Sequence, residues 1–162
     1  PVAATELGSA LYSASKIPEA ERQFRKALEI DPGYTDARFN LASVEASNHQ
    51  WEAAAADFTR VLKERPDDAK AAQDLGEAML LWGDEFAKSG NDEQAAIRYR
   101  DALPYRPADV DLHIRLGLAF ARMERLDESQ AEFEAVLRLQ PNSQFARQAI
   151  DAIVARRKAT GK

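Results

Sequence analysis

Two histidines, His49 and His113, are the only imidazoles in the chain, and they stand 64 residues apart. His49 falls in an expected turn and His113 in an expected helix. Neither has beside it in sequence the acid or nucleophile that a catalytic histidine needs, so both read as surface or packing residues. No cysteine is present, which removes thiolate nucleophiles, disulfides and thiolate zinc sites. The acidic pairs Asp67–Asp68, Asp84–Glu85, Asp92–Glu93 and Asp127–Glu128 suggest calcium binding or acid–base work. They fall mostly at expected helix starts, where the helix dipole and unpaired N–H groups stabilise carboxylates. No phosphate-binding loop and no dinucleotide fingerprint occurs. The expected inventory is no catalytic residue, no metal ligand and no cofactor. Trp51 and Trp82 read as packing residues.

The elements that would position any site follow from four prolines. Pro32, Pro66, Pro107 and Pro141 are spaced by 34, 41 and 34 residues, a period of 34 with one insertion of seven. Twelve residues before each lies Ala20, Ala54, Ala95 or Ser129; eight before lies Phe24, Phe58, Tyr99 or Phe133; four before lies Leu28, Leu62, Leu103 or Leu137. A period of this length marks a stacked array of helix pairs. Gly8, Ala42 and Gly117 are small where the first helix of a pair must touch Ala20, Ala54 and Ser129 on the second. Thr35, Asp68, Asp109 and Ser143 are the expected N-caps, and Asn48 and Gly90–Asn91 the expected turn residues.

The seven extra residues leave two registers in the third unit, Leu75–Gly76 with Met79 and Trp82–Gly83 with Phe86. Seven residues are close to two turns, so both fit. One reading is a single long helix of about 20 residues, overhanging its neighbours by about two turns; the other is a normal helix with a longer loop near Gly83. Two positions break the pattern. Glu45 stands where Leu11 and Phe120 are apolar, and Asp92 where Ile17, Trp51 and Leu126 are. Residues 144–158 are expected to form a capping helix with Phe145, Ala149, Ile150, Ile153 and Val154 on one face. Arg156, Arg157 and Lys158 complement its C-terminal dipole, and Ala159–Lys162 are expected to fray.

Charge bounds the partners. The 22 basic and 27 acidic residues give a net charge of −5, which favours neither nucleic acid nor an anionic membrane. No run approaches the ~18 apolar residues of a spanning helix, so no direct membrane insertion is expected. Chain composition suits either a cytoplasm or a periplasm, and its Ala- and Arg-rich texture hints at a bacterial source. The start at Pro1 suggests an excised piece of a longer protein.

Residues 1–34 read Ala4, Leu7, Gly8, Leu11, Ala20, Phe24, Ala27, Pro32; residues 35–68 read Arg38, Leu41, Ala42, Glu45, Ala54, Phe58, Val61, Pro66; residues 110–143 read His113, Leu116, Gly117, Phe120, Ser129, Phe133, Val136, Pro141. On these residues the chain resembles the tetratricopeptide repeat family. The resemblance implies an all-α, right-handed αα-superhelix, one array over residues 1–162. Its units would be about 1–34, 35–68, 69–109 with the insertion, and 110–143, followed by the cap.

The resemblance also implies a non-catalytic protein-interaction scaffold, not an enzyme, binding a peptide or partner helix in a groove lined by first helices. The alternatives are a regulatory or substrate-presenting module of a larger enzyme or membrane protein, and a self-associating module pairing through the extended third-unit helix. The expected groove residues are Tyr12, Phe39, Asn40, Ser43, Gln73, Glu77, Leu80, Asp84, Ile114, Arg115, Leu118 and Arg122, with Thr5 and Ser9 beside them. Phe39, Leu80, Ile114 and Leu118 would form an apolar strip, and Glu77 and Asp84 would favour a segment flanked by basic residues. Members that bind chaperone tails hold a carboxylate with Lys, Asn, Asn, Lys and Arg. The matching positions here are Thr5, Ser9, Asn40, Lys70 and Asp74, which argues against that ligand.

Overall fold

The apolar residues recur at helical spacing, and the proline-closed segments fold accordingly. The computed structural model describes residues 1–160, and among these every regular element is an α-helix. In chain order they are α1 (Val2–Ser13), α2 (Ile17–Ile30), α3 (Thr35–Ser47), α4 (Trp51–Glu64), α5 (Ala69–Lys88), α6 (Asp92–Ala102), α7 (Val110–Arg122), α8 (Leu126–Leu139) and α9 (Gln144–Thr160). The chain forms two compact units, Pro1–Ala78 and Met79–Lys162.

Local chemistry sets the boundaries. Asp68, Asp109 and Ser143 accept hydrogen bonds from the N–H groups of Ala71, Leu112 and Ala146 at 3.0, 3.1 and 3.3 Å, and Asn91 caps α6 through Gln94 N–H at 3.2 Å. Thr35 does not cap. It is the first residue of α3, and its hydroxyl donates back to Gly33 O. Helix α6 stops at Ala102, two residues before Pro104, whose ring disfavours helical geometry at the preceding residue. The turn inside each pair places one residue in the left-handed region, at Ser15, His49, Gly90 and Glu124. These four share one repeat position, and only Gly90 adopts it without steric penalty.

In the first unit, α1 pairs with α2 and α3 with α4. Ala20, Phe24, Leu41 and Val44 make a buried cluster on which Leu11, Ile17 and Leu28 pack. Trp51 is buried beside it in α4, as expected of a packing residue. In the second unit the last turns of α5 pack with α6 and α7: Leu80 joins Ala95, Tyr99, Ala102, Leu112, Leu116 and Phe120, with Met79, Phe86 and Ala87 against them. These turns are core, which replaces the expected overhang. Helices α8 and α9 close the unit through Phe133, Val136, Ala146 and Ile153.

The small residues meet aromatic rings. A Cβ on Gly8 would lie 2.6 Å from Phe24, on Gly83 2.5 Å from Tyr99, and on Gly117 3.1 Å from Phe133. The partner is thus the aromatic residue 16 positions later, while Ser129 contributes a hydrogen bond to Gly117 O at 2.8 Å. Helix α5 uses both of its registers: Ala71, Leu75 and Ala78 are buried in the first unit, and Gly83 meets Tyr99 in the second.

Helix α9 runs to Thr160, so Ala159 and Thr160 are helical, not frayed; Gly161 and Lys162 lie outside the described residues. Its inward face is Ala146 and Ile153 with Ala149 and Ile150, while Phe145 and Val154 stay exposed. Arg156 pairs with Glu124, and Arg157 with Asp127 and Gln130, so these arginines tie α9 to α8 and the turn before it.

Candidate functional site

Each unit carries one concavity, and the expected groove residues divide between them. In the first unit a cavity of about 270 Å³ is lined by Asp36, Phe39, Asn40, Arg65, Asp68 and Lys70. Phe39 is half-buried, its ring edge-on to Phe58 at 5.6 Å. The charges here cancel in pairs: Arg65 bonds Asp36 at 2.7 Å, and Lys70 bonds Asp74. Tyr12 shares a hydrogen bond with Ser47 at 3.1 Å, Asn40 donates to Ser9 at 3.4 Å, and Ser43 donates to Phe39 O at 3.0 Å. Gln73 and Glu77 are exposed on α5.

The second unit holds the larger cavity, about 410 Å³, lined by Asp84, Ala87, Lys88, Tyr99, Arg115, Leu118 and Arg122. Four expected residues, Asp84, Arg115, Leu118 and Arg122, come together here. Arg115 Nη1 donates to both Asp84 oxygens, at 2.7 and 2.8 Å, and Tyr99 donates to Oδ1 at 2.8 Å. Asp84 therefore lends little outward negative charge. Burial, and then the bond to Asp84, push the Tyr99 hydroxyl well above its ordinary pKa, so it remains a donor. Arg122 Nε donates to Asp92 at 2.6 Å. The lining thus offers three cations, Lys88, Arg115 and Arg122, against one neutralised carboxylate. Beside them Leu118 is 37% exposed.

Leu80 and Ile114 do not reach this cavity. Leu80 is only 6% exposed and belongs to the core cluster, because the end of α5 packs inward where an overhang was expected. Ile114 is half-buried against the Phe133–Val136 cluster. Lys88 and Tyr99 were missed for different reasons. Lys88 follows the repeat's groove positions, and Tyr99 occupies the aromatic packing position, with nothing in the pattern to show that its hydroxyl reaches Asp84.

One arrangement imitates a catalytic dyad. His113 Nδ1 lies 2.7 Å from Glu132 Oε2, and Nε2 lies 3.2 Å from Pro107 O. The α3–α4 pair repeats it in register with other residues: Arg38 bonds Asp57 at 3.0 Å and also Pro32 O. Arg147 likewise reaches Pro141 O. A guanidinium can replace the imidazole without loss, so this is a clamp between helices and the proline carbonyl before them. Among the described residues no cluster of three or more potential ligands could hold a metal ion, and no helix is long and apolar enough to cross a membrane.

Helix pairs with a period of 34, a small residue facing an aromatic and a closing proline define a class of repeat protein. The tetratricopeptide repeat model matches residues 5–69, 39–81 and 80–144, and the chain belongs to that family. It is 26% identical over 143 residues to Superkiller protein 3 of Schizosaccharomyces pombe, covering 88% of this chain and 10% of that protein. It is 31% identical over 115 residues to the Hsp70-Hsp90 organizing protein of Triticum aestivum, covering 71% of this chain and 18% of that protein. The chain thus spans a fifth or less of the length of these relatives. Among solved structures, one of MamA superposes with a TM-score of 0.60 at 18% identity, covering 99% of this chain and 82% of that one. YrrB, a TPR protein with an unusual peptide-binding site, superposes with a TM-score of 0.57 at 19% identity, covering 96% and 76%. The fold class is therefore the all-α helix-pair solenoid, a fold that generally mediates protein–protein interaction.

Proposed function

We propose that this chain is a non-catalytic interaction module that takes an extended protein segment in the cleft of its second unit. The observation that carries the reading is the cleft's composition: Leu118 stands 37% exposed beside Lys88, Arg115 and Arg122, while the one lining carboxylate, Asp84, is bonded to Arg115 and Tyr99. Such a surface favours an apolar side chain next to an acidic one. That reverses the bias toward basic flanks, which counted Asp84 as an available charge.

The first unit is a poor holder of a chaperone tail. Of Thr5, Ser9, Asn40, Lys70 and Asp74, the lysine is already paired with the aspartate, and Asn40 is turned to Ser9. A name shared with an organizer of chaperones therefore does not bring that ligand here.

Selection from a displayed random-peptide library, followed by fluorescence anisotropy on the winners, tests the reading. Selected peptides should place Asp or Glu within a few residues of a large apolar side chain. Leu118→Asp and Arg122→Glu should each weaken them about tenfold or more, whereas Arg60→Glu, on exposed α4 surface, should leave them unchanged. Enrichment of basic peptides, or equal loss from Arg60→Glu, would overturn it.

A further inference from the structure

Positions three, seven and ten of each repeat's first helix tell a second story. On α3 they are Ala37, Leu41 and Val44, on α5 Ala71, Leu75 and Ala78, and on α7 Leu112, Leu116 and Ala119; none of the nine is more than 4% exposed. On α9 they are Ala146 and Ile153, both buried, and half-buried Ile150. On α1 the same positions are Ala3, Leu7 and Ala10, and all three are exposed, Leu7 by 50%.

What covers this face elsewhere is visible within the molecule. Ala20, Phe24 and Leu28 of α2 cover Leu41 and Val44; Ala95 and Tyr99 of α6 cover Leu112, Leu116 and Ala119; Phe133 and Leu137 of α8 cover Ala146 and Ile153. The cover is each time a helix presenting a small residue, an aromatic ring and a leucine at i, i+4 and i+8. We propose that the Ala3–Leu7–Ala10 face of α1 is a docking surface for such an amphipathic helix, contributed by a partner protein. A second folded copy cannot supply it. In α2, α4, α6 and α8 the small and aromatic residues are already buried, none more than 2% exposed. Helix α9 shows Arg147, Gln148 and Asp151 on its exposed surface.

The probe is a labelled, hydrocarbon-stapled peptide of the sequence of residues 17–30, stapled across positions 22 and 26, which are exposed on α2. The staple removes the instability of a short free helix. Titrated with the full chain, its anisotropy should rise saturably. Leu7→Glu should weaken binding at least about tenfold with the circular dichroism unchanged, Phe24→Ala in the peptide should do the same, and Val154→Glu on α9 should have no effect. Absence of saturable binding, or binding indifferent to Leu7→Glu, would overturn the proposal. So would sedimentation equilibrium showing that the chain alone self-associates through Leu7, since a second copy would then be the occupant.

Discussion

The α3–α4 pair of the first unit and the α7–α8 pair of the second are built on one register, yet they fill one core slot in opposite ways. In α7 the slot holds Phe120, 1% exposed, with the guanidinium groups of Arg125 and Arg100 4.8 and 5.1 Å from its ring. In α3 it holds Glu45, 4% exposed. Its Oε1 lies 3.7 Å from Arg25 Nη2, and its Oε2 is buried with no hydrogen-bond partner. Burial, then the Asp57 charge, with Glu21 adding to them and Arg25 opposing, push the Glu45 carboxyl up to about 7. The backbone of the pair tolerates either occupant. The difference shows that the surrounding arginines, not the slot, decide whether a polar group survives there.

Exchanging the occupants should break the comparison most visibly. Phe120→Glu removes an aromatic core and buries a carboxylate where the nearby cations lie over the ring, so it should cost about 4 kcal/mol or more in urea unfolding. A loss under ~1 kcal/mol would mean that the slot itself accepts charge.

The reverse exchange sharpens it. Between pH 4.5 and about 7 the folded chain holds the Glu45 proton that the unfolded chain has released. Its contribution is therefore fully present below about 4.5 and lost as pH rises through 7, by up to about 3 kcal/mol. Glu45→Leu should stabilise the chain by about 2 kcal/mol at pH 8. The stability difference between wild type and Glu45→Gln should change across pH 4.5–7 and be flat above it. A flat difference throughout would show that Glu45 titrates normally.

The smallest effect concerns the clamp. If His113–Glu132 is the counterpart of Arg38–Asp57, His113→Arg should change the melting free energy by no more than about 0.5 kcal/mol, while His113→Ala should cost about 1–2 kcal/mol. A large penalty for the arginine would mark a role specific to imidazole.

The repeated prolines, aromatics and small residues made the helix order legible, because each occupies a position where packing leaves little choice. Glu45 was legible as an intruder in an apolar series. Its neighbours Asp57, Glu21 and Arg25 come from three turns of two other helices and carry no sequence signal. The left-handed residues Ser15, His49 and Glu124 were hidden because only Gly90 uses the residue such a turn prefers. Leu80 was misplaced by a register argument. The insertion in α5 lets its two ends follow different registers, so the groove positions read from one do not hold along the whole helix. Asp84, Arg115, Leu118 and Arg122 were found because helical spacing puts them toward one side. That Asp84 is bonded to Tyr99 depends on a hydroxyl 15 residues away.

The tight turns at Ser15, His49 and Glu124 have a consequence for the chain's birth. Each joins two helices that pack directly on one another, so the contacts that define a hairpin lie within about one repeat of sequence. Local contacts of this kind close quickly, and N-terminal elements emerge first during synthesis. The α1–α2 hairpin can therefore assemble while the ribosome is still translating the segments that follow, and an error in a later hairpin need not undo it.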